Sequence, residues 1–190
     1  MKVRILVATL LMALGLLAAQ AQFRAVYKTK VWYDKVDEDG YRLIFTDWTP
    51  ALAPKGAFKT ICISLNYYQG YKCPYFLRLY GEYEFTDDDR LAIALSNGKE
   101  LHLYPCAVGV THSRLGLIRE RALYETFYQL DEGQLGDLLS STVTNISLKI
   151  KVGSKYEWFG KDFKDKFVDK WLKLNYKAIQ KRLKKLEKRK

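Results

Sequence analysis

The sequence predicts a mainly β protein: an antiparallel β-sandwich, or an open barrel, of about seven to nine strands with a long C-terminal amphipathic helix. Three observations lead to this fold class. Aromatic residues, which favour strands, are plentiful, with 14 Tyr, 9 Phe and 4 Trp. Apolar and polar residues alternate over many short stretches joined by turn sequences. Near residue 160 the apolar spacing changes to steps of three and four, which is helical.

The first 21 residues predict a secretory signal peptide. Lys2 and Arg4 precede an uncharged apolar run over residues 5–19, and Ala19-Gln20-Ala21 has the small-x-small pattern of a cleavage site. The apolar run is shorter than the about 20 residues that a membrane-spanning helix needs. We therefore expect cleavage after Ala21 and export to the periplasm or the extracellular space of a bacterial cell. An uncleaved anchor is the alternative.

The remaining chain is expected to form one domain without a transmembrane segment, because domains typically have about 100–200 residues. After the signal peptide (1–21), we expect a β domain over residues 22–160 and a basic helix over 161–190 that belongs to the same domain. The predicted strands cover residues 23–35, 41–48, 58–68, 71–85, two arms within 90–106, 121–130 and 142–153. Between them lie a predicted loop (49–57), a less regular stretch (107–119) and one or two helical turns (131–141).

Two dipeptides predict tight turns within this series. Asn97-Gly98 separates two alternating apolar runs, which is a strong signal for a hairpin, and Asp39-Gly40 is a turn of the same kind.

The three cysteines, Cys62, Cys73 and Cys106, leave the disulfide pattern open. Export permits a disulfide, but an odd number leaves at least one thiol free or shared between chains. If Gln69-Gly70 is a two-residue turn, Cys62 and Cys73 lie on neighbouring strands four residues out of step, which is too far for a direct bridge. One disulfide, or three small buried residues, remain as alternatives.

The C-terminal segment predicts one amphipathic helix. Its apolar residues fall at Phe163, Phe167, Trp171, Leu174, Ala178, Ile179, Leu183 and Leu186. Aspartates near its start and lysines near its end complement the helix dipole. We expect the first half to pack on the β core through Phe163, Phe167 and Trp171, and the last turns to project.

The positive charge of the protein is concentrated in this helix. The full chain carries a net charge of +11, of which Lys2 and Arg4 belong to the predicted signal peptide. Residues 161–190 hold 13 Lys or Arg against 4 Asp or Glu, whereas residues 22–160 hold 17 of each. The sequence therefore predicts a neutral β domain with a cationic helix.

Such a helix attracts an anionic envelope surface or an acidic protein. The residues expected to bind it are Lys177, Lys181, Arg182, Lys184, Lys185 and Lys188. Nucleic acid fits the charge, but it is not expected as the partner of an exported protein. The alternative is a solvated helix end that lysine keeps soluble.

A second candidate site is the tyrosine-rich turn within residues 66–76. Tyr67, Tyr68, Tyr71 and Tyr75 flank this turn. Tyrosine combines a broad apolar ring with a hydroxyl group, so the turn is a candidate platform for a glycan or a peptide. Cross-strand aromatic pairing, which stabilises hairpins, is the alternative.

Residues for catalysis are few, and we expect a non-enzymatic interaction module. The histidines are His102 and His112, and Cys106 with either of them is the candidate for a thiol hydrolase. No phosphate loop, zinc signature or nucleophile elbow is present, and the sequence predicts no cofactor and no metal site. A calcium loop starting at Asp37 would need a carboxylate at its twelfth position, where Trp48 stands.

Overall fold

The computed structural model describes residues 30–52, 61–115, 119–152, 155–162 and 167–188, and these residues form eleven strands and two helices. The predicted signal peptide and Phe163 lie outside the described residues. In chain order the elements are β1 (Val31–Val36), β2 (Arg42–Thr46), β3 (Thr49–Leu52), β4 (Ile61–Tyr68), β5 (Tyr75–Gly81), β6 (Arg90–Leu95), β7 (Glu100–Leu103), β8 (Pro105–Leu115), β9 (Arg119–Leu130), α1 (Glu132–Ser140), β10 (Val143–Val152), β11 (Lys155–Asp162) and α2 (Phe167–Glu187). The predicted fold class is confirmed: mainly β, antiparallel and sandwich-like, with a C-terminal helix.

The strands form two antiparallel sheets. The first sheet has the order β1-β2-β4-β5-β9-β8, and β3 also pairs with β4. The second sheet has the order β11-β10-β6-β7. Two short strands pair with the same edge of β4. β2 pairs with Tyr67–Tyr68 at one end of β4, and β3 pairs with Ile61–Ile63 at the other end. β4 therefore lies between β5 and the β2 and β3 pair.

The two predicted glycine turns are present. Gly98 has a φ of +83° and joins β6 to β7, in which Leu91 pairs with Leu103. Gly40 has a φ of +86° and joins β1 to β2. In that turn the Asp37 carboxylate accepts the backbone N–H of Tyr41. Both turns place apolar residues of their strands on a shared face, as the alternation indicates.

Of the two turns that the sequence left open between β4 and β5, the structure has the longer one and not the two-residue turn at Gln69-Gly70. The connection extends to Pro74, whose carbonyl accepts the backbone N–H of Tyr68 at 2.8 Å. This longer turn shifts the β4–β5 register, so that Cys62 pairs with Tyr80 rather than with Leu77. A proline within the turn supplies an acceptor but no donor, so it ends the ladder instead of continuing it.

The boundaries of three other segments also differ from the prediction. The predicted loop at 49–57 contains β3, which is only four residues long and includes Pro50. Most of the stretch predicted to be less regular (107–119) is strand: residues 107–115 belong to β8, and Arg119 begins β9. The strand predicted at 142–153 is not the last strand, because β11 follows it. β11 includes Lys161 and Asp162, the first two residues of the predicted helix, and α2 begins at Phe167 instead of Lys161. β11 carries charged residues and Gly160, which mask its alternation.

The core lies between the two sheets, and α2 covers the same side of the first sheet. Leu65 and Leu77 of the first sheet and Ile93 and Ile146 of the second are fully buried. Helix α2 packs against β4, β2 and β3. Within the part of the chain that the structure describes, neither helix is both long and apolar enough to cross a membrane.

Hydrogen bonds and apolar contacts hold α2 along its length. The indole N–H of Trp171 and the side-chain amide of Asn175 both donate to the Asp47 carbonyl, at 3.1 and 3.2 Å. Further along, Ile179 is fully buried, and Arg182 binds the Asp34 carboxylate on β1. The last turns therefore do not project as expected, because the apolar stripe continues onto the sheet.

The Ile179→Ala variant should lose about 2–5 kcal/mol of unfolding free energy, because it removes a fully buried side chain and leaves a cavity. Urea unfolding followed by circular dichroism measures this loss. The matched control is Lys181→Ala on the exposed side of the same helix, for which we expect a change within about 0.5 kcal/mol. Equal losses in the two variants would contradict the packing of α2.

Candidate functional site

The exposed side of α2 carries a surface of five lysines, the lysine surface: Lys177, Lys181, Lys184, Lys185 and Lys188. They line one shallow depression together with Tyr176 and Gln180, and all five are exposed. Among the residues that the structure describes, none of the five pairs with a carboxylate. The lysines face solvent because the apolar stripe of the same helix is fixed to the sheet.

Arg182, the sixth predicted binding residue, has a different environment. Its guanidinium binds Asp34, and the Arg42 guanidinium binds the same carboxylate. The Asp34 side chain is only 9% exposed, whereas the Arg182 and Arg42 side chains that flank it are 35% and 24% exposed. Arg182 thus anchors the end of α2 to β1 and β2, whereas the five lysines are free to meet a partner.

The four tyrosines of the predicted platform lie on opposite faces of the first sheet. Tyr67 and Tyr75 form an edge-to-face pair on the core side, with ring centroids 5.4 Å apart. Tyr75 also contacts Tyr176 and accepts a hydrogen bond from the Gln180 amide at 2.5 Å. Burial raises the pKa of Tyr75 to about 12. Tyr67 and Tyr75 therefore support α2.

Tyr68 and Tyr71 lie towards the other face of the first sheet. Their rings are in edge contact at 5.1 Å, and Tyr71 makes a similar contact with Phe76. The Tyr68 hydroxyl donates to the Asp37 carboxylate. This bond raises the pKa of Tyr68 to about 12 and lowers the pKa of Asp37, because it stabilises the phenol and the carboxylate together.

The first sheet is curved towards this second face, which we call the curved face. Phe45 on β2 and Phe127 on β9 have ring centroids only 6.3 Å apart, although β4 and β5 lie between their strands. Adjacent strands are about 4.8 Å apart, so a flat sheet would separate these strands by about 14 Å. The sheet therefore bends, and the two rings lean towards each other over β4 and β5.

A buried arginine lies at the centre of the curved face. Arg78 is 6% exposed, and its guanidinium carbon lies 4.9 Å from the ring centroid of Tyr80, 5.4 Å from that of Phe45 and 6.0 Å from that of Phe127. Its Nε donates to the Glu125 carboxylate at 2.6 Å. Aromatic faces and a carboxylate thus replace the water that a buried guanidinium would lose.

A cavity opens on the curved face beside Arg78 and beneath the tyrosine turn. Its volume is about 210 Å³. Its lining residues are Leu43, Phe45, Asn66, Tyr67, Tyr68, Tyr71, Phe76, Cys106, Ala107 and Phe127. The sequence predicts a site at the tyrosines but gives no role to Arg78 or to the aromatic residues of β2 and β9.

Cys106 and His102 do not form a catalytic pair in this structure. The Cys106 thiol donates to the Phe127 carbonyl at 3.1 Å. His102 lies on β7 in the second sheet, exposed, with its Nε2 3.8 Å from a Glu100 carboxylate oxygen. The side chain of His112 lies outside the described residues.

The cysteines and carboxylates of the described residues show neither a disulfide nor a metal cluster. Cys62, Cys73 and Cys106 are all free thiols in this part of the chain. Asp89 caps a turn, since its carboxylate accepts the backbone N–H of Thr86 at 2.8 Å, and burial raises its pKa. Within the residues described, no group of three His, Cys, Asp or Glu side chains could hold a metal ion.

Comparison of the chain with models of protein families, with curated proteins and with solved structures finds no match.

The Arg78→Met variant should lose about 2–4 kcal/mol of unfolding free energy, somewhat less than the loss when one partner of a fully buried ion pair is removed. The physical reason is that the Glu125 carboxylate, which is 18% exposed, would lose the guanidinium that stands against it. Urea unfolding measures the loss. Combining Arg78→Met with Glu125→Gln removes that charge, so the double variant should regain part of the stability. A double variant less stable than Arg78→Met would contradict this account.

Cys62 should resist alkylation by iodoacetamide at pH 8 while Cys106 is labelled. Cys62 is 7% exposed, and burial raises its pKa to about 11, so only about one molecule in a thousand would carry its thiolate. Burial raises the pKa of the exposed Cys106 as well, so its labelling should be slow but complete. Mass spectrometry of the peptides measures both rates, and urea should make both thiols react. Equal rates in the folded protein would contradict the buried position of Cys62.

Proposed function

We propose that this protein is an exported, non-enzymatic interaction module whose C-terminal helix binds an anionic surface. The observation that carries the proposal is the lysine surface: five exposed lysines on one side of a helix whose other side is packed on the β domain. A cationic surface held in a fixed orientation loses little conformational freedom when it meets a negatively charged partner.

The packing of α2 also favours one mode of binding. Interfacial helices usually bury an apolar face in the lipid, but the apolar face of α2 is engaged with the sheets through Val168, Leu172 and Ile179. Binding by insertion would require α2 to leave the core. We therefore expect electrostatic contact with head groups, worth about 1 kcal/mol for each lysine near an acidic membrane. Such contact is reversible and weakens with salt.

The charge distribution of the rest of the chain supports the same proposal. Residues 22–160 hold equal numbers of basic and acidic residues, so the β domain adds no net attraction or repulsion. The long-range field of the exported chain thus comes from its helix and would orient that helix towards an anionic surface. Acidic lipid head groups and phosphorylated lipopolysaccharide provide such a surface, and an acidic protein is the second candidate partner.

A glycan or peptide platform on the tyrosine turn has weaker support. Tyr67 and Tyr75 pack on the side of α2, and only Tyr68 and Tyr71 lie towards the curved face. A glycan or peptide would therefore find two tyrosine rings at the rim of a small cavity, which is less flat surface for stacking than the four rings of the predicted platform would offer.

The Lys181→Gln/Lys185→Gln variant should bind vesicles that contain phosphatidylglycerol about 30-fold more weakly, since it loses about 2 kcal/mol of attraction. Co-sedimentation of residues 22–190 with such vesicles measures the affinity at 0.1 M salt. Raising the salt to 0.5 M should weaken binding of the unchanged protein, because screening shortens the range of the attraction.

The matched control is Lys72→Gln/Lys155→Gln, which removes the same charge from two exposed lysines outside the helix. We expect it to bind within about threefold of the unchanged protein. Equal weakening by both variants would mean that net charge, and not the lysine surface, drives binding. Absence of binding to anionic vesicles, with retained binding of a polyglutamate peptide, would favour the acidic protein partner.

A further inference from the structure

The cavity on the curved face is bounded mainly by rings. Seven of the ten residues that line its volume of about 210 Å³ are aromatic or leucine: Leu43, Phe45, Tyr67, Tyr68, Tyr71, Phe76 and Phe127. Tyr71 is 49% exposed and stands at the edge of the turn, so the cavity is open to solvent on that side. The opposite face of β4 carries the core, so this space is separate from the lysine surface.

Three polar side chains in the wall of the cavity, those of Asn66, Tyr68 and Cys106, already have hydrogen-bond partners. The Asn66 side chain accepts the backbone N–H of Thr46 at 3.1 Å and donates to the Ser64 hydroxyl at 3.3 Å. The Tyr68 hydroxyl donates to Asp37, and the Cys106 thiol donates to the Phe127 carbonyl. A ligand rich in hydroxyl groups would therefore lose hydrogen bonds with water and regain few in the cavity. The wall selects against a sugar.

The volume and the ring geometry favour a compact aromatic guest. Apolar cavities of about 150 Å³ lined by Leu, Ile and Phe bind benzene in other proteins. The larger volume here has room for one substituted ring or two fused rings. Edge-to-face contacts between Tyr71 and its neighbours at 5.1 Å show that rings in this wall present both faces and edges, which are the surfaces that aromatic guests contact best.

We propose that this cavity binds a small uncharged aromatic molecule of one or two rings. The binding energy comes from burial of the guest and from ring contacts with Phe45, Phe76 and Phe127. The proposal does not depend on the lysine surface: the two sites lie on opposite faces of the first sheet, and either can fail without the other.

A titration with toluene and naphthalene tests the proposal. In ¹⁵N-labelled protein we expect saturable shifts of the backbone amide signals of Ala107 and Phe127, which line the cavity, with none at the amides of the second sheet. Glucose should cause no saturable shift, and methylcyclohexane should bind at least fivefold more weakly than toluene. If neither toluene nor naphthalene causes saturable shifts up to its solubility limit, the proposal is overturned. Equal affinities for toluene and methylcyclohexane would overturn the aromatic preference.

Two variants of β8 provide a matched pair. Ala107→Phe adds a ring to the wall of the cavity and should weaken toluene binding at least tenfold. Val108→Phe adds the same ring at the next residue, which is 37% exposed and does not line the cavity, and should keep the affinity within about twofold. Unchanged toluene affinity in Ala107→Phe would show that the probe binds elsewhere and would overturn the assignment of the site.

Alkylation of the unchanged protein gives a second readout that needs no variant. Saturating toluene should slow the reaction of Cys106 with iodoacetamide at least threefold, because the thiol lies in the cavity wall. The rate at Cys73, which does not line the cavity, should not change and serves as the internal control. An unchanged Cys106 rate at saturation would overturn the site. The Lys181→Gln/Lys185→Gln variant should bind toluene normally, which separates this test from the test of surface binding.

Discussion

The burial of β4 on both faces is the constraint on which the rest of this structure depends. Alternate residues of the strand point to opposite sides, and Ile63 and Leu65 on one side are as buried as Ser64 and Asn66 on the other. One side needs the second sheet and α2 as a cover. Among the residues that the structure describes, no helix or second sheet covers the other side, so the first sheet bends and covers it with its own aromatic residues. Curvature is thus a consequence of the buried strand.

Polar residues on the curved side of β4 fix how this bend closes. Asn66 joins β4 to β2 through the backbone of Thr46, and Ser64 pairs with Arg78 of β5, whose guanidinium meets rings from three strands and the Glu125 carboxylate of β9. A core of methyl groups alone would tolerate several arrangements of the strands. The directed hydrogen bonds of Asn66 and the ion pair of Arg78 with Glu125 favour the observed arrangement, and the cavity lies beside them.

The sequence predicted those features that depend on local chemistry. The Asn97-Gly98 hairpin and the stripe from Trp171 to Leu183 follow from turn geometry and helical spacing, and the structure has both. The β4–β5 register could not be predicted, because it depends on whether the chain closes at Gln69-Gly70 or continues to Pro74. The curved face was missed for a related reason: its rings come from β2, β5 and β9, and only the strand order brings them together. Arg78 between apolar residues of β5 was the one local signal.

The same alternation that buries β4 also separates the two proposed sites. Tyr67 packs towards α2 and its lysines, whereas the next residue, Tyr68, points towards the cavity and Asp37. The residues that line the cavity and those that line the lysine surface have no member in common. β4, which is buried on both faces, thus separates α2 and its lysine surface from the apolar cavity on the curved face.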